Sequence, residues 1–293
     1  MGIYVTILEQ GLIYGILALG VYITYKILDF PDLTVDGSFP LGAALTATMI
    51  TRGVNPWLTL PASFLIGVFA GICTGVIHVK CKVRDLLSGI IMMTALWSVN
   101  LRLAGTANVP IFGEESIFDN ALVNGIFKGG MASYKVLIIV FIIAVISKVL
   151  LDLYMQTKSG FLLRAVGDND VLVTAMAKDQ GNVKILGLAI ANGLVSLAGC
   201  IFCQEQRVFE ISSGTGAMVI GLASVIIGTS LFKGFSFLKT TTAVLLGSII
   251  YKACVAAALK FFEPQDMKLI TAVLFLAILI IGRERRRKVK KNA

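Results

Sequence analysis

Three aspartates lie close together in a chain that is otherwise strongly apolar: Asp29, Asp32 and Asp36, within the segment DFPDLTVDGSFPLGAA (29–44). A lysine, Lys252, stands in a second apolar region, SIIYKACVAAALK. Ionisable side chains inside membrane-type sequence are costly, and they commonly mark a path for a solute or an ion. The chemistry that these residues suggest is binding and passage of a solute, with Lys252 either facing a cavity or reaching out to the membrane surface.

The residue types needed for covalent catalysis or metal binding are sparse. The single histidine, His78, offers no metal cluster. Five cysteines are scattered, and Cys200 and Cys203 fall inside an apolar run, where small side chains usually pack between helices. The sequence has no nucleophile motif and no phosphate-binding loop of the GxxxxGKS or GxxxxGKT form. An enzyme is therefore not expected, and ATP should not bind this chain through such a loop.

The composition is that of a membrane protein. The 293 residues are 57% hydrophobic and 15% charged, whereas a soluble domain carries about 25% charged residues. The apolar runs approach or reach the length of a bilayer crossing and do not alternate with polar residues, which favours helices over a membrane β-barrel. The first run lacks a basic stretch before it and contains Glu9, so we take it as a span and not as a signal peptide.

We predict an all-α, polytopic membrane helix bundle of about nine spans (eight to ten), forming a single transmembrane domain over residues 1–293. The predicted spans are 3–25, 39–51, 57–79, 86–105, 135–151, 185–205, 217–232, 240–260 and 269–282.

Positive charge is distributed unevenly over the predicted loops. If the basic tail (283–293) lies in the cytoplasm and the spans alternate, 17 Lys and Arg fall on the cytoplasmic side and 6 outside. Cytoplasmic loops carry an excess of Lys and Arg, so this topology is favoured, with a cytoplasmic C-terminus. The net charge of +9 then needs no nucleic-acid partner, and the tail either contacts anionic lipid or serves as a topology signal.

Two predicted helices are short or interrupted, near 32–51 and near 211–232, because the apolar part of each falls below the roughly 20 residues that a crossing needs. Each begins with a polar turn: the first contains DLTVDGS, and the second contains ISSGTG, with Ser213 and Gly214. Paired interrupted helices indicate a transport pathway. The alternative is that small residues occur here because membrane helices pack closely.

The first of these turns predicts a helix start. Asp36, Gly37 and Ser38 have the composition of an N-cap before the apolar run from Phe39, with Pro40 near the first helical position. A half-helix that begins there would direct free N–H groups and its positive dipole end into a cavity, which suits a substrate carboxylate. The alternative is an ordinary cytoplasmic loop whose aspartates cap the helix.

The predicted cytoplasmic segment 152–184 is too short for a catalytic domain. Its apolar residues are spaced for short amphipathic helices, and Gly167 to Asp170 form the turn between them. Such a helix pair would form a rigid projection below the membrane that a partner protein could push.

Three motifs in this chain resemble the permease subunits of ABC importers of the branched-chain amino acid and ribose type. LLRAVGDND (162–170) with AMAKDQGNVK (175–184) is similar to the family's coupling segment. DLTVDGSFPLGAALTA (32–47) is similar to its second helix, with Asp36 inserted, and AMVIGLASVIIGTSLFKG (217–234) to a later helix. The overall similarity is nearest to tryptophan/tyrosine-type permeases. The coupling positions that match are Gly160, Arg164, Ala165, Gly167, Asn169 and Gly181.

The resemblance implies a homodimeric or paired permease in the cell membrane, with two cytosolic ATPase subunits and an extracellular substrate-binding protein. ATP and Mg²⁺ would bind the ATPase chains, and this chain would carry no cofactor. The segment 157–184 would couple to the ATPase. Arg164 would dock that subunit or brace the turn, and Asp168 and Asn169 would cap the second short helix.

The predicted translocation pathway comes from the interrupted helices and the buried lysine. The alternative to an ABC importer is an ion- or proton-coupled secondary carrier without an ATPase, using Lys252, Glu9 or Asp36 as the coupling site. The predicted pathway residues are Asp36, Gly37, Ser38, Ser213, Gly214 and Lys252.

Overall fold

A computed structural model describes residues 2–127, 129–168, 180–233 and 238–259, together with 269, 271–273 and 275–276. Within these residues the chain is mainly helical, with one short two-stranded sheet. The helices and strands are α1 (Ile3–Val21), α2 (Val35–Thr51), α3 (Pro56–Val79), α4 (Asp85–Ala104), β1 (Asn108–Pro110), α5 (Ala121–Ile126), α6 (Lys135–Met155), α7 (Lys158–Asp168), α8 (Gln180–Gln206), β2 (Val208–Glu210), α9 (Ala217–Leu231) and α10 (Thr240–Ala258). A π-helical segment (Tyr22–Ile27) follows α1, and 3-10 segments (Gly129–Tyr134 and Ile211–Gly214) precede α6 and α9.

Seven helical segments among the described residues are long and apolar enough to cross a membrane. They support the all-α membrane bundle, but the count of about nine spans is not confirmed. The helix α2 has 17 residues, fewer than a full crossing needs, and most of the predicted span 269–282 lies outside the described residues. The seven segments are Tyr4–Ile27, Pro56–Val79, Asp85–Ala104, Ala132–Met155, Gln180–Gln206, Ile211–Leu231 and Thr240–Ala258.

The helix α8 is the centre of the bundle, packed against α1, α2 and α3. Glycines allow this close approach. A Cβ added at Gly67 of α3 would lie 2.4 Å from the Asn192 carbonyl oxygen, and one at Gly71 would lie 2.2 Å from that of Leu188. On the α2 side, a Cβ at Gly199 would lie 1.9 Å from a backbone oxygen of α2. Small residues at these contacts bring the backbones together, which is how membrane helices gain packing energy without a hydrophobic effect between them.

The chain leaves α1 through the π-helical segment and then a non-helical stretch, residues 28–34, which we call the α1–α2 link. Asp29 at its start has a positive φ of 52°, a conformation that aspartate tolerates better than most residues. The Phe30 N–H donates to the Thr24 carbonyl oxygen (2.9 Å). The link therefore folds back onto the end of α1 before α2 begins.

The bundle has two distinct ends. At one, which we call the sheet end, β1 and β2 pair antiparallel with Val109 opposite Phe209. There Arg207 donates to the Glu114 carbonyl oxygen (2.8 Å) and forms an ion pair with Asp119 (3.2 Å). The other end, which we call the α7 end, is reached through α6 and carries α7.

Candidate functional site

The helices α2 and α9 both begin inside the bundle, at about the same depth. Ser38 of α2 donates to the side-chain oxygen of Asn192 (2.7 Å), and Asn192 lies near the middle of α8. Gly214, just before α9, packs against the Asp36 carbonyl oxygen and the ring of Pro40. From this point α2 runs to the sheet end and α9 to the α7 end. We call the meeting point the helix junction (residues 32–40 and 211–218).

The start of α2 differs from the predicted N-cap. The helix begins at Val35, so Asp36–Ser38 lie in its first turn and Pro40 lies inside it. The cause is Asp32, whose carboxylate accepts the Thr34 N–H (2.9 Å) and starts the turn earlier. The prediction of free N–H groups is also wrong here. The N–H groups of Gly37 and Ser38 both donate to the Thr34 carbonyl oxygen (2.9 and 2.8 Å).

The Asp36 carboxylate caps α9 from another helix. It accepts the N–H of Gly216 (3.0 Å) and the N–H of Met218 (2.8 Å). First-turn N–H groups have no acceptor within their own helix, and a negative charge there also opposes the positive end of the helix dipole. One residue of α2 therefore fixes where α9 starts, and the structure brings the predicted residues Asp36, Gly37, Ser38, Ser213 and Gly214 together at the junction.

A buried hydrogen-bond network attaches the junction to α8 and α3. Asn192 donates to Asp32 (2.7 Å) and accepts from Ser38 (2.7 Å), and the hydroxyls of Thr34 and Thr74 are 2.9 Å apart. These side chains are all fully buried. Asn192 was missed by the sequence prediction, although an asparagine in an apolar helix is itself a signal, since polar side chains join membrane helices by hydrogen bonds.

Lys252 lies inside the bundle but outside the junction. It is 9% exposed, and its Nζ lies 3.8 Å from the centroid of the Tyr14 ring, a cation–π contact. Tyr14 in turn stacks on Phe39 of α2, with ring centroids 5.9 Å apart. Among the ion pairs of the described residues, none joins Lys252 to Asp36. Glu9 is also buried, at 3% exposed.

The predicted coupling residues on α7 pack closely where they are glycines. A Cβ added at Gly167 would lie 1.6 Å from the carbonyl oxygen of Ile27, the last residue of the π-helical segment. One at Gly160 would lie 2.4 Å from the Tyr154 carbonyl oxygen. The predicted turn over residues 167–170 is corrected in its first half: Gly167 and Asp168 are helical, because the missing side chain of Gly167 lets α7 lie directly against the end of α1. Residues 169 and 170 lie outside the described residues.

The other coupling residues occupy different environments. Arg164 is exposed and Ala165 is half-buried. Asp168 is the last residue of α7, and Asn169 lies outside the described residues. Gly181 is buried in the first turn of α8.

The groups that meet at the helix junction are those of hydrogen bonding and charge. In the part of the chain that the structure describes, no three His, Cys, Asp or Glu residues are grouped to hold a metal ion. Carboxylates, amides and hydroxyls meet where two helices start, which is where transporters place their solutes.

A family model described as "Branched-chain amino acid transport system / permease component" matches residues 3–282. The chain belongs to this permease family. The permease is 42% identical over 279 residues to the tyrosine transport system permease protein of Clostridioides difficile (strain R20291), covering 95% of this chain and 90% of that one.

More distant relatives carry sugars in their names. The permease is 25% identical over 277 residues to the ribose import permease protein RbsC of Escherichia coli (strain K12), covering 94% of this chain and 84% of that one. It is 23% identical over 261 residues to the fructose import permease protein FruF of Bifidobacterium longum (strain NCC 2705), covering 87% and 70%. No solved structure gave a significant match.

These matches confirm the resemblance to ABC importer permeases that the sequence motifs indicated. Together with the seven candidate spans, they make the permease a multi-pass membrane protein. It is a transport subunit of the ABC importer type.

Proposed function

We propose that this permease is the membrane subunit of an ATP-driven importer that carries an aromatic amino acid into the cell. The observation that carries the proposal is the 42% identity, over 95% of this chain, to a protein named a tyrosine transport system permease. The helix junction supports a transport role, since paired helix starts inside a membrane bundle mark solute sites in transporters.

In the proposed complex, two copies of the permease form a homodimer and two ATPase chains bind ATP and Mg²⁺. The α7 end faces the cytoplasm and the sheet end faces outward, because Lys and Arg concentrate near cytoplasmic span ends. Lys80, Lys82, Arg84, Lys158 and Arg164 all belong to segments at the α7 end. An extracellular substrate-binding protein then docks at the sheet end, and the basic C-terminal tail lies in the cytoplasm.

The helix α7 offers a face for the ATPase. Phe161 is 60% exposed and Arg164 is exposed one turn further on. On the opposite side Leu163 is buried, and Gly167 packs against Ile27. Exposed aromatic residues and arginines are both enriched in protein interfaces.

A continuous set of contacts leads from α7 to the helix junction. Gly167 lies against Ile27 at the end of the π-helical segment, and the α1–α2 link continues from there to Asp32 and α2. Asp36 then joins α2 to the start of α9. Movement of α7 would therefore act on α2 through packed backbones and on α9 through the Asp36 carboxylate. Such contacts transmit displacement because packed interiors deform little.

The experiment reconstitutes the permease with its ATPase chains and substrate-binding protein in proteoliposomes and measures L-tyrosine uptake together with ATP hydrolysis. Gly167→Ala places a methyl group 1.6 Å from the Ile27 oxygen, and overpacking of this kind costs about 1–3 kcal/mol. We expect uptake per ATP hydrolysed to fall about tenfold, the change that roughly 1.4 kcal/mol produces.

The matched control is Gly113→Ala, because an added Cβ at Gly113 meets no atom within 4 Å. It should leave both rates unchanged. Uptake of L-tyrosine by the permease alone, driven by a proton or sodium gradient without ATP, would show that it is a secondary carrier and refute the proposal.

A further inference from the structure

Two polar atoms at the helix junction are buried without a hydrogen-bond partner among the described residues: Asn100 Oδ1 and Ser213 Oγ. The orientation of the Asn100 amide is fixed, because its Nδ2 donates to the Gly37 carbonyl oxygen (3.1 Å), which can only accept. The side-chain oxygen of Asn100 is therefore an acceptor with nothing to accept. Most buried polar atoms in proteins are paired, so each exception needs an explanation, such as strain, a bound water or a ligand.

Both atoms belong to elements that meet at the junction. Asn100 lies on α4 beside Gly37 of α2, and Ser213 lies in the 3-10 segment that packs against α2 and α4. The neighbouring residue, Gly214, touches the Asp36 backbone and the ring of Pro40. The unpaired oxygens thus lie around the same helix start, near the Asp36 carboxylate.

A half-exposed indole lies on the same helix as Asn100. Trp97 is 46% exposed and lies less than one turn of α4 from Asn100. It shares a helix face with Leu101 and Ala104, at spacings of four and seven residues, and those two pack against the cluster that contains Ile211. Trp97 therefore lies nearer the middle of α4 than the residues that pack against the 3-10 segment Ile211–Gly214.

This position is unusual for tryptophan in a membrane protein. Tryptophan concentrates at the two membrane surfaces, where Trp57 in the first turn of α3 is found. Trp97 instead lies at the depth of the helix junction, where an indole face can stack on another ring.

The oxygen atoms at the junction can accept hydrogen bonds, so a matching ligand must supply hydrogen-bond donors. Asn100 Oδ1 can only accept, the Ser213 hydroxyl can accept, and the Asp36 carboxylate accepts two N–H bonds out of about four that its oxygens allow. A cationic amine supplies several donors and a positive charge, which matches this set.

We propose that Trp97, Asn100 and Ser213 form a solute subsite at mid-membrane. The two oxygens and Asp36 receive the ammonium group of an aromatic amino acid, and the indole of Trp97 stacks on its ring. This inference rests on the proposed function, since it assumes an amino acid as the transported solute.

The chain has two tryptophans, which makes the subsite observable. In the full-length Trp57→Phe permease in lipid nanodiscs, Trp97 is the single tryptophan reporter, and L-phenylalanine is the probe because it is silent under tryptophan-selective excitation. We expect a saturable change in emission. The Trp97→Phe permease, which reports from Trp57, should show none. Tyramine should bind, and 3-(4-hydroxyphenyl)propionate, which has no ammonium group, should not.

The test of the hydroxyl uses two serines that share one property. Ser213 and Ser196 both carry a buried hydroxyl without a partner among the described residues, but Ser196 lies in the interface of α8 with α2 and α3. In the Trp57→Phe background, Ser213→Ala should weaken probe binding about tenfold, and Ser196→Ala should leave it unchanged. Neither change removes a hydrogen bond within the described residues, so folding should persist.

An unchanged Trp97 emission at saturating L-phenylalanine would overturn the subsite. Equal weakening by Ser213→Ala and Ser196→Ala would also overturn it, because the effect would then be general to packing. The proposed function is tested separately by ATP-driven uptake. If the unaltered complex takes up L-tyrosine but the probe does not bind, only the subsite is rejected. If the unaltered complex shows no ATP-driven uptake, the proposed function is rejected.

Discussion

Replacing Asp36 with alanine tests whether its carboxylate holds the start of α9. The substitution leaves the N–H groups of Gly216 and Met218 without their acceptor. A buried donor left unpaired costs about 1–3 kcal/mol. Because Met218 is 3% exposed, its unpaired N–H should cost nearly the upper value of this range. Gly216 is half-buried, so water replaces part of its bond. The sum is about 2–4 kcal/mol, counting the lost charge at the helix end.

Amide hydrogen exchange measures this directly on the full-length permease in nanodiscs. If α9 opens locally at its first turn, a cost of about 2–4 kcal/mol speeds exchange at these two amides between about 30-fold and 700-fold. Asp36→Asn keeps one acceptor oxygen and should have an intermediate effect. Asp29→Asn is the control, since Asp29 is exposed and has a positive φ that asparagine also tolerates. Unchanged exchange in the Asp36→Ala permease would refute the capping role.

Three further outcomes follow from contacts elsewhere in the bundle. Asn192→Leu leaves the buried Asp32 carboxylate without its amide donor, so unfolding of the purified permease should become easier by about 3 kcal/mol, measured by denaturant titration. Gly199→Ala introduces a Cβ 1.9 Å from a backbone oxygen of α2 and should lower the melting temperature through a cost of about 1–3 kcal/mol. A hydrogen bond from Asn124, with two nearby cations, lowers the pKa of Asp119. Its contribution to stability should be present at neutral pH and vanish as pH falls through that lowered pKa, seen by comparing melting temperatures with Asp119→Asn.

Each of these outcomes has a result that contradicts it. An Asn192→Leu permease as resistant to denaturant as the unaltered one would show that Asp32 does not depend on the amide. Normal melting of Gly199→Ala would mean that α2 and α8 can separate without cost. A stability difference for Asp119→Asn that persists at low pH would show that the effect is not caused by the carboxylate charge.

The positions of the spans could be predicted because the bilayer dictates long apolar runs. The predicted span 57–79 and the observed α3, Pro56–Val79, agree closely, since Pro56 and the basic residues after Val79 delimit the run. The two helix starts at the junction could also be anticipated, because polar turns precede apolar sequence at both places. The predicted shortness holds for α2, whereas α9 with its 3-10 segment, Ile211–Leu231, is long enough to cross a membrane.

The partners within the junction could not be predicted from the sequence. Asp36 looked like a local cap, yet its bonds go to residues 180 and 182 positions away, and no periodicity encodes such a distance. Gly167 looked like a turn residue for a similar reason: local rules assign glycine to a turn, whereas here the packing against Ile27 requires it in a helix.

The pairing of Asp32 and Ser38 with Asn192 also sets an order for the biogenesis of this protein. The two partners are 160 and 154 residues apart from Asn192, so α2 leaves the ribosome long before α8 exists. Until then α2 is a short hydrophobic segment with an uncompensated carboxylate at its start, which lipid does not accept. Nascent chains that end before residue 192 should therefore keep α2 at the insertion machinery, and its stable integration should begin only when α8 arrives.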